Sequence, residues 1–297
     1  MSSSGNELRE LGKASDEAAA ALPTQGWLEP PQPQDLVLTL LADNVRNRLE
    51  SVWSGGLVQL IGEFGFSTGA SRVALARLVR RDLISRVKEG RLVSYRLTDR
   101  AERLLAEGDR RIFHLGGDRG RGDVFTVLWH TLPEKRRLER GQLARRLRFL
   151  GFGSVQDGNW ISVGDHEEEV VRLVTELGVG EFCSLVTGRL STAFSLRPIV
   201  ERAWDLPALN DRYDAFVREF GAAQEAAGQG DATAFRVRTQ LMHNFRQFPA
   251  LDPGLPPPLM PEHPARAAAI SLLDRAYATL REPAQRHFDA VVGAGGG

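Results

Sequence analysis

The sequence predicts a multidomain α+β protein that begins with a winged helix-turn-helix. Residues 33–113 show three helical patterns, a short hairpin and a fourth helical pattern, in that order. Residues 120–190 alternate between strand and helix patterns, which is typical of a ferredoxin-like α+β module. Residues 191–292 have helical patterns and predict a helical C-terminal domain. We expect this last domain to bind an effector or to support dimerisation.

The charge of the chain is segregated, although its 38 basic and 38 acidic residues cancel. Residues 1–70 carry a net charge of −5, residues 71–150 one of +11 and residues 151–297 one of −6. A middle block this positive is typical of a surface that binds a polyanion, although a solvated Arg-rich surface would give the same count. The predicted helices and strands of this block are therefore needed to distinguish a polyanion-binding surface from a solvated one.

Composition narrows the class of protein. A hydrophobic content of 42% supports folded cores, and no apolar run approaches the roughly 18 residues of a membrane span. The single cysteine, Cys183, excludes an intramolecular disulfide and a cysteine-rich zinc site. Residues 1–32 are polar and Ala-rich, end in prolines and lack the pattern of a secretory signal, so they predict a disordered or loosely helical arm. We expect a cytoplasmic protein that does not bind membranes.

The first three helices follow from apolar spacing and capping residues. Residues 33–46 predict a mostly apolar first helix, and Ser54 is a candidate N-cap for a second one. Gly65 suits the left-handed end of that helix, and Ser67 can cap a third helix over residues 68–81. A helix, a tight turn and a second helix form the helix-turn-helix arrangement. The third helix is predicted to bury Ser71, Leu75, Leu78 and Val79 and to expose Gly69, Arg72, Val73, Ala76, Arg77 and Arg80.

A basic hairpin follows the third helix directly. Residues 83–88 and 92–97 alternate apolar and polar side chains, and the turn between them contains Gly90. A short basic hairpin in this position is a wing. Thr98 then caps a fourth helix, Asp99–Phe113, which is predicted to bury Ala101, Leu104 and Leu105.

The basic side chains of this region suit contact with double-stranded DNA. Arg72 and Arg77 are the best-placed residues to offer two donors to guanine O6 and N7, and Val73 can meet a thymine methyl group. Hairpin residues such as Lys88 and Arg91 suit phosphates or the minor groove, contacts that position the protein without reading sequence. For each arginine alone, a plain surface residue is an equal alternative. The predicted DNA-binding residues are Thr68, Arg72, Val73, Arg77, Arg80, Lys88, Arg91, Tyr95 and Arg96.

The two remaining domains are predicted from their periodicity. The middle domain is expected to have strands at 124–129, around 159–161 within the segment 154–163, and at 182–189. Its helices are expected at 133–150 and 165–177, the first with an inner stripe of Leu138, Leu143, Leu147 and Leu150. We expect this middle domain to be a dimerisation or positioning domain. The last domain is expected to have helices at 199–205, 209–220, 232–248 and 265–280. Its recurring aromatic residues predict a helical core or, alternatively, a pocket for an apolar ligand.

Enzymatic motifs are absent or incomplete. No phosphate-binding G-x-x-x-x-G-K-[ST] loop occurs. His166 precedes three glutamates, but the second histidine of H-E-x-x-H is missing. We expect His243, on a predicted helix, to be structural, and Cys183, on a predicted strand, to be buried and inert. We therefore expect no catalytic residue, no metal and no cofactor.

Several segments of the chain match one family pattern in order: GFSTGASRVALARLVRRDLI (65–84), SYRLT (94–98), LGFG (150–153) with Asn159-Trp160, RAWDL (202–206), and His243 to Phe248 followed by Leu255-Pro256-Pro257. Through these segments the chain resembles the PaaX family, bacterial repressors of phenylacetate catabolism, over about residues 33–290. The resemblance implies a homodimeric repressor with a winged domain, a ferredoxin-like middle similar to a CRISPR integration nuclease, and a helical C-terminal domain. It also implies release from DNA by an acyl-CoA, phenylacetyl-CoA in the best-known members. For such an effector the candidate residues are Trp204, His243 and Arg246.

Three departures from the family pattern limit what is carried over. The family usually has an apolar residue where this chain has Ser71, and often a Trp where it has Asp123-Val124. The strand that bears a catalytic carboxylate in the nuclease ends here as Leu128-Trp129-His130, so metal-dependent cleavage is not expected. Two alternatives to a repressor stay open: an enzyme, either a nuclease or an acyl-CoA thioesterase, and an architectural DNA binder without a ligand.

Overall fold

The computed structural model describes residues 28–89, 92–113, 115, 124–191, 193–256, 259–260 and 263–293. Residues 1–27 of the predicted arm, Gly90 and Arg91 of the predicted wing, and most of residues 114–123, whose Gly, Asp and Arg content predicts a hinge, lie outside the described residues. The chain divides into two compact units. The first comprises Met1–Arg110, Ala215–Phe245 and Ser271–Gly297, and the second comprises Arg111–Asp214 and Arg246–Ile270.

The N-terminal elements appear in the predicted order, with one additional strand. That strand pairs antiparallel with the second strand of the hairpin and completes a three-stranded sheet of order β1-β3-β2. Ser54 is the first residue of the second helix rather than its N-cap, because the new strand runs directly into the helix and Trp53 takes the N-cap position. The elements are α1 (Pro33–Asn44), β1 (Val52–Trp53), α2 (Ser54–Gly62), α3 (Thr68–Arg80), β2 (Ile84–Glu89), β3 (Leu92–Leu97) and α4 (Asp99–Phe113).

The turn between α2 and α3 has the predicted caps. Gly65 adopts φ 89°, a conformation that favours glycine, and the Ser67 side chain accepts a hydrogen bond from the Ala70 backbone N–H at 3.2 Å. Ser71 is fully buried, as predicted, and its hydroxyl donates to the Ser67 carbonyl at 3.0 Å. A hydroxyl that bonds the carbonyl four residues earlier is compatible with a helix interior. The family departure at this position therefore leaves no unsatisfied polar group.

Two predicted inward side chains of this region are exposed. Val79 is 39% exposed, because Ser71, Ala74, Leu75 and Leu78 already form the inner stripe of α3 at helical spacing. Leu104 is 41% exposed. It lies about 100° around α4 from its buried neighbour Leu105, away from the inner stripe.

The middle elements form a four-stranded antiparallel sheet of order β5-β6-β4-β7. The segment 154–163, predicted to contain a strand around 159–161, forms two strands, and the other strands and helices follow in the predicted order. Leu143 and Leu147 line its core as predicted, but Leu138 is 81% exposed, because it lies five residues before Leu143 and so on another face of the helix. The elements are β4 (Val124–His130), α5 (Arg137–Phe149), β5 (Gly153–Gln156), β6 (Asn159–Val163), α6 (Glu167–Leu177) and β7 (Cys183–Arg189).

The C-terminal segment is helical, with two differences from the expectation. The helix predicted over 232–248 ends at Phe245, and a short helix restarts at Phe248, because Pro249 has no N–H to continue the hydrogen-bond ladder. A last helix was not predicted; its Pro283 lies in the first turn, where a missing N–H costs nothing. The helices are α7 (Arg197–Ala203), α8 (Leu206–Phe220), α9 (Asp231–Phe245), α10 (Phe248–Leu251), α11 (Pro264–Thr279) and α12 (Arg281–Gly293).

The C-terminal helices α9 and α12 share the core of the N-terminal helices. One cluster of buried apolar side chains contains Leu36 of α1, Leu60 of α2 and Leu75 of α3 together with Phe235 of α9 and Phe288 of α12. At its edge, His287 Nε2 lies 2.7 Å from Glu63 Oε1. The segment predicted as the third domain thus contributes to both compact units. The second unit has a separate core between its sheet and helices α5 and α6.

Candidate nucleic-acid interface

Helix α3 presents most of the predicted DNA-binding residues on its outer side. Thr68, Arg72 and Arg80 are exposed, whereas Val73 and Arg77 are half-buried. The Ser67 cap starts the helix at Thr68, and the inner stripe packs on α1 and α2, so helical spacing leaves these five positions on the opposite side. The exposed fraction of Val73 is smaller than the sequence suggested.

The β2–β3 hairpin adds further cations beside α3. The register pairs Arg86 with Tyr95, Ser85 with Arg96, and Lys88 with Val93. Arg86, Lys88 and Arg96 are exposed, and Tyr95 is half-buried against the core of the unit. Arg96 Nε donates to Ser85 Oγ at 3.0 Å, which directs this side chain across the hairpin.

Within the part of the chain that the structure describes, five cations of α3 and β2 have no acid or hydrogen-bond acceptor: Arg72, Arg77, Arg80, Arg86 and Lys88. Basic residues elsewhere in the chain are often paired. Arg46 Nε lies 2.9 Å from Glu102 Oε2, and Arg146 Nη1 lies 2.6 Å from Glu176 Oε2. A group of close, unpaired cations raises the local potential until an external anion supplies the missing charge. The arrangement suits a polyanion better than a solvated surface of mixed sign.

The predicted effector residues have structural partners in different units. His243 is buried in the first unit, and its Nδ1 lies 3.2 Å from Thr39 Oγ1, as expected of a structural histidine. Trp204, in the second unit, donates its indole N–H to the Gly151 carbonyl at 3.4 Å. Its ring packs so closely on Gly153 that an added Cβ would lie 2.7 Å away. Arg246 is half-buried. An effector role for these residues stays a prediction.

A buried polar cluster in the second unit was not predicted. The Asp252 carboxylate is fully buried and accepts hydrogen bonds from Tyr213 Oη at 2.7 Å, Arg266 Nε at 2.6 Å and the Gly254 N–H at 2.8 Å. The Tyr213 ring stacks on Phe248 at 4.1 Å between centroids. Burial, and then the Asp252 charge, raise the pKa of Tyr213 above its usual value. No local sequence signal joins these residues, since they come from three separate segments.

The residues weighed as catalytic or metal-binding have ordinary surroundings. His166 is buried, and its Nε2 lies 3.1 Å from the Val163 carbonyl. Cys183 is half-buried, and burial raises the pKa of its thiol, which disfavours the reactive thiolate. Strand β4 ends at His130, whose pKa is lowered chiefly by burial. Among the described residues, no group of three or more His, Cys, Asp or Glu side chains could hold a metal ion. None of the described helices is both long and apolar enough to span a membrane.

The elements define a mixed α+β protein with two small antiparallel sheets, and comparison with known proteins places it in a family. Three family models match in order: "PaaX-like protein" at residues 32–101, "PaaX protein central Cas2-like domain" at 122–199, and "PaaX-like protein C-terminal domain" at 204–290. The chain belongs to the PaaX family, and its middle domain is Cas2-like. The resemblance inferred from the sequence is confirmed.

Two individual proteins are similar over most of their length. The chain is 27% identical to the transcriptional repressor PaaX of Escherichia coli (strain K12) over 250 residues, which is 82% of this chain and 78% of that protein. Among solved structures, the uncharacterized protein Rv0674 from Mycobacterium tuberculosis aligns with a TM-score of 0.50 and 21% sequence identity. That alignment covers 85% of this chain and 96% of the other, and it shows a shared fold.

Proposed function

We propose that this protein is a sequence-specific, DNA-binding transcriptional repressor in which residues 33–113 act as a winged helix-turn-helix. The observation that carries the proposal is the group of cations on α3 and β2 that have no partner among the described residues. The order of three helices and a hairpin, with β1 paired to the hairpin, supports it. So does the 27% identity to a protein named as a transcriptional repressor.

In the proposed complex, α3 lies in the major groove. Arg72 and Arg77 offer paired donors to guanine O6 and N7, while Val73 contacts a thymine methyl group. Lys88 and, beyond the described residues, Arg91 contact phosphates. Two copies of the chain form a homodimer and meet half-sites about one helical turn apart, or a multiple of it. The protein acts in the cytoplasm and regulates a phenylacetate-type catabolic operon, from which an acyl-CoA releases it.

The experiment begins with genome-wide mapping of bound sites, which supplies the operator. Titrations of the operator and of scrambled DNA then compare Arg72→Ala and Lys88→Ala with the wild type. Arg72→Ala should weaken operator binding by roughly 1–3 kcal/mol and relax specificity at one position. Lys88→Ala should weaken binding to both DNAs alike and reduce the slope of log affinity against log salt by about 0.9.

Arg146→Ala is the matched control, because Arg146 belongs to the basic helix α5 of the second unit and is paired with Glu176. It should leave both affinities unchanged. Operator binding that neither Arg72→Ala nor Lys88→Ala alters would contradict the assignment of α3 and the hairpin. DNA cleavage that depends on added Mg²⁺ or Mn²⁺, or turnover of an acyl-CoA, would instead favour an enzyme.

A further inference from the structure

A pocket of about 360 Å³ opens within the first unit, between the beginning of α2, the inner edge of α3 and the β2–β3 hairpin. Its wall combines two kinds of side chain. One part is apolar and comes from Val58, Leu75 and Val93. The other part comes from residues with polar side chains, among them Arg72, Arg86 and Tyr95.

The two arginines of this pocket are among the cations without a partner in the described part of the chain. A guanidinium group is a planar fork that binds a carboxylate with two parallel hydrogen bonds. A bare inorganic anion would satisfy these charges but would leave the apolar wall in contact with water. A ligand that fits both parts of the wall has a carboxylate at one end and an apolar body at the other.

The size of the pocket limits the ligand further. Small-molecule sites usually have volumes of about 300–1,000 Å³, and this pocket is near the lower end. A whole acyl-CoA is too large, since it carries a nucleotide, three phosphate groups and a pantetheine arm. A small aromatic or aliphatic acid has the right dimensions.

We propose that this pocket binds a small organic carboxylate with an apolar body, held by Arg72 and Arg86 against Val58, Leu75 and Val93. Arg72 is also the residue expected to read a base. Occupancy therefore neutralises and occupies part of the surface that DNA needs, and the acid competes directly with the operator. The competition with the operator rests on the proposed DNA-binding function, whereas binding of the acid does not.

The first test uses calorimetry on the DNA-free full-length chain. Phenylacetate and hexanoate are titrated, with phenylacetamide as the uncharged isostere and sulfate as the anion without an apolar body. At least one acid should bind with saturation, and neither control compound should. Arg86→Gln removes one guanidinium, and Val93→Phe fills the pocket while both arginines remain; each should weaken acid binding about tenfold or more.

Leu92→Phe is the control, because Leu92 is the exposed neighbour of Val93 on β3 and does not line the pocket. It should bind the acid like the wild type, and thermal melting should show that all three variants are folded. The inference is overturned if neither acid binds, if sulfate or phenylacetamide binds equally well, or if Val93→Phe binds the acid unchanged.

The second test adds operator DNA. A saturating acid should raise the operator dissociation constant of the wild type about tenfold, but not that of Val93→Phe, which keeps every proposed DNA contact. An acid that binds without changing operator affinity overturns the competition. Loss of all specific DNA binding in a chain that still binds the acid would refute the proposed function alone. Intact operator binding without acid binding would refute the pocket alone.

Discussion

Replacement of Phe288 by alanine should destabilise the helices that are proposed to bind DNA, although Phe288 lies near the end of the chain. The Phe288 side chain is fully buried in the same core as apolar residues of α1, α2 and α3, and Phe235 of α9 belongs to that core as well. Removal of a buried phenylalanine ring costs the transfer free energy of its atoms and leaves a cavity, together about 3–5 kcal/mol. A domain of ordinary stability has about 5–15 kcal/mol in total, so the loss is a large fraction of it.

Urea unfolding followed by circular dichroism measures this effect. The midpoint of the transition that includes the first unit should fall by roughly 1–3 M in Phe288→Ala. Phe194→Ala is the control, because Phe194 is 80% exposed and its loss should leave the midpoint unchanged. Operator affinity should fall in parallel at temperatures where the Phe288→Ala variant is partly unfolded.

Two results would refute this reasoning. One is a Phe288→Ala protein that unfolds at the wild-type midpoint. The other is a fragment of residues 28–113 that unfolds at the midpoint of the full chain, because such a fragment lacks α9 and α12 altogether. Either result would mean that the N-terminal helices form a sufficient core without the C-terminal ones.

Two further predictions concern the second unit. Because burial raises the pKa of Tyr213 above its ordinary value of 10.0, the unfolded chain loses this proton first, so stability should decline above pH 10 by about 1.4 kcal/mol per pH unit. Urea titrations between neutral pH and pH 11 should show a shallower decline in Tyr213→Phe; equal slopes would contradict the assignment. Gly153→Ala should lower the melting temperature, because its Cβ would lie 2.5 Å from the Ala203 carbonyl oxygen, at a cost of about 1–3 kcal/mol. Gly188→Ala on β7, with nothing within 4 Å, should not.

Elements with strong local signals could be predicted closely from the sequence. The bounds of β3 and α4 are the predicted ones, because alternation, a glycine turn and a threonine cap all lie within a few residues of them. Strand β1 could not be predicted, since two residues have no periodicity and Val52 becomes a strand residue only through its pairing with Tyr95. Helix α12 was not predicted either; its Pro283 is compatible with the helix, because a proline breaks a helix interior but is tolerated in a first turn.

The exposed residues of the candidate interface could be predicted more readily than the pocket and the ion pairs around them. Outward positions of a capped helix follow from spacing alone, so Arg72 and Arg80 are exposed as expected. The pocket beside them could not be predicted, because it depends on how Arg72, Arg86 and Val58 from three elements come together. The sequence also does not indicate which arginines form ion pairs. Arg146 has a partner and Arg72 has none in the described chain, although both lie on basic helices.

Hydrophobic periodicity does not indicate which residues a buried side chain contacts. Phe235 and Phe248 carry the same apolar signal on what looked like one helix, but Phe235 packs with the N-terminal core and Phe248 stacks on Tyr213 in the second unit. The amphipathic pattern indicates which face of a helix is buried, but it does not indicate which element packs against that face. Because α9 and α12 share the core of α1 and α2, opening of these C-terminal helices exposes the apolar sides of α1 and α2, on which α3 packs. The stability of the surface proposed to read DNA is therefore set in part by residues that no DNA contact requires.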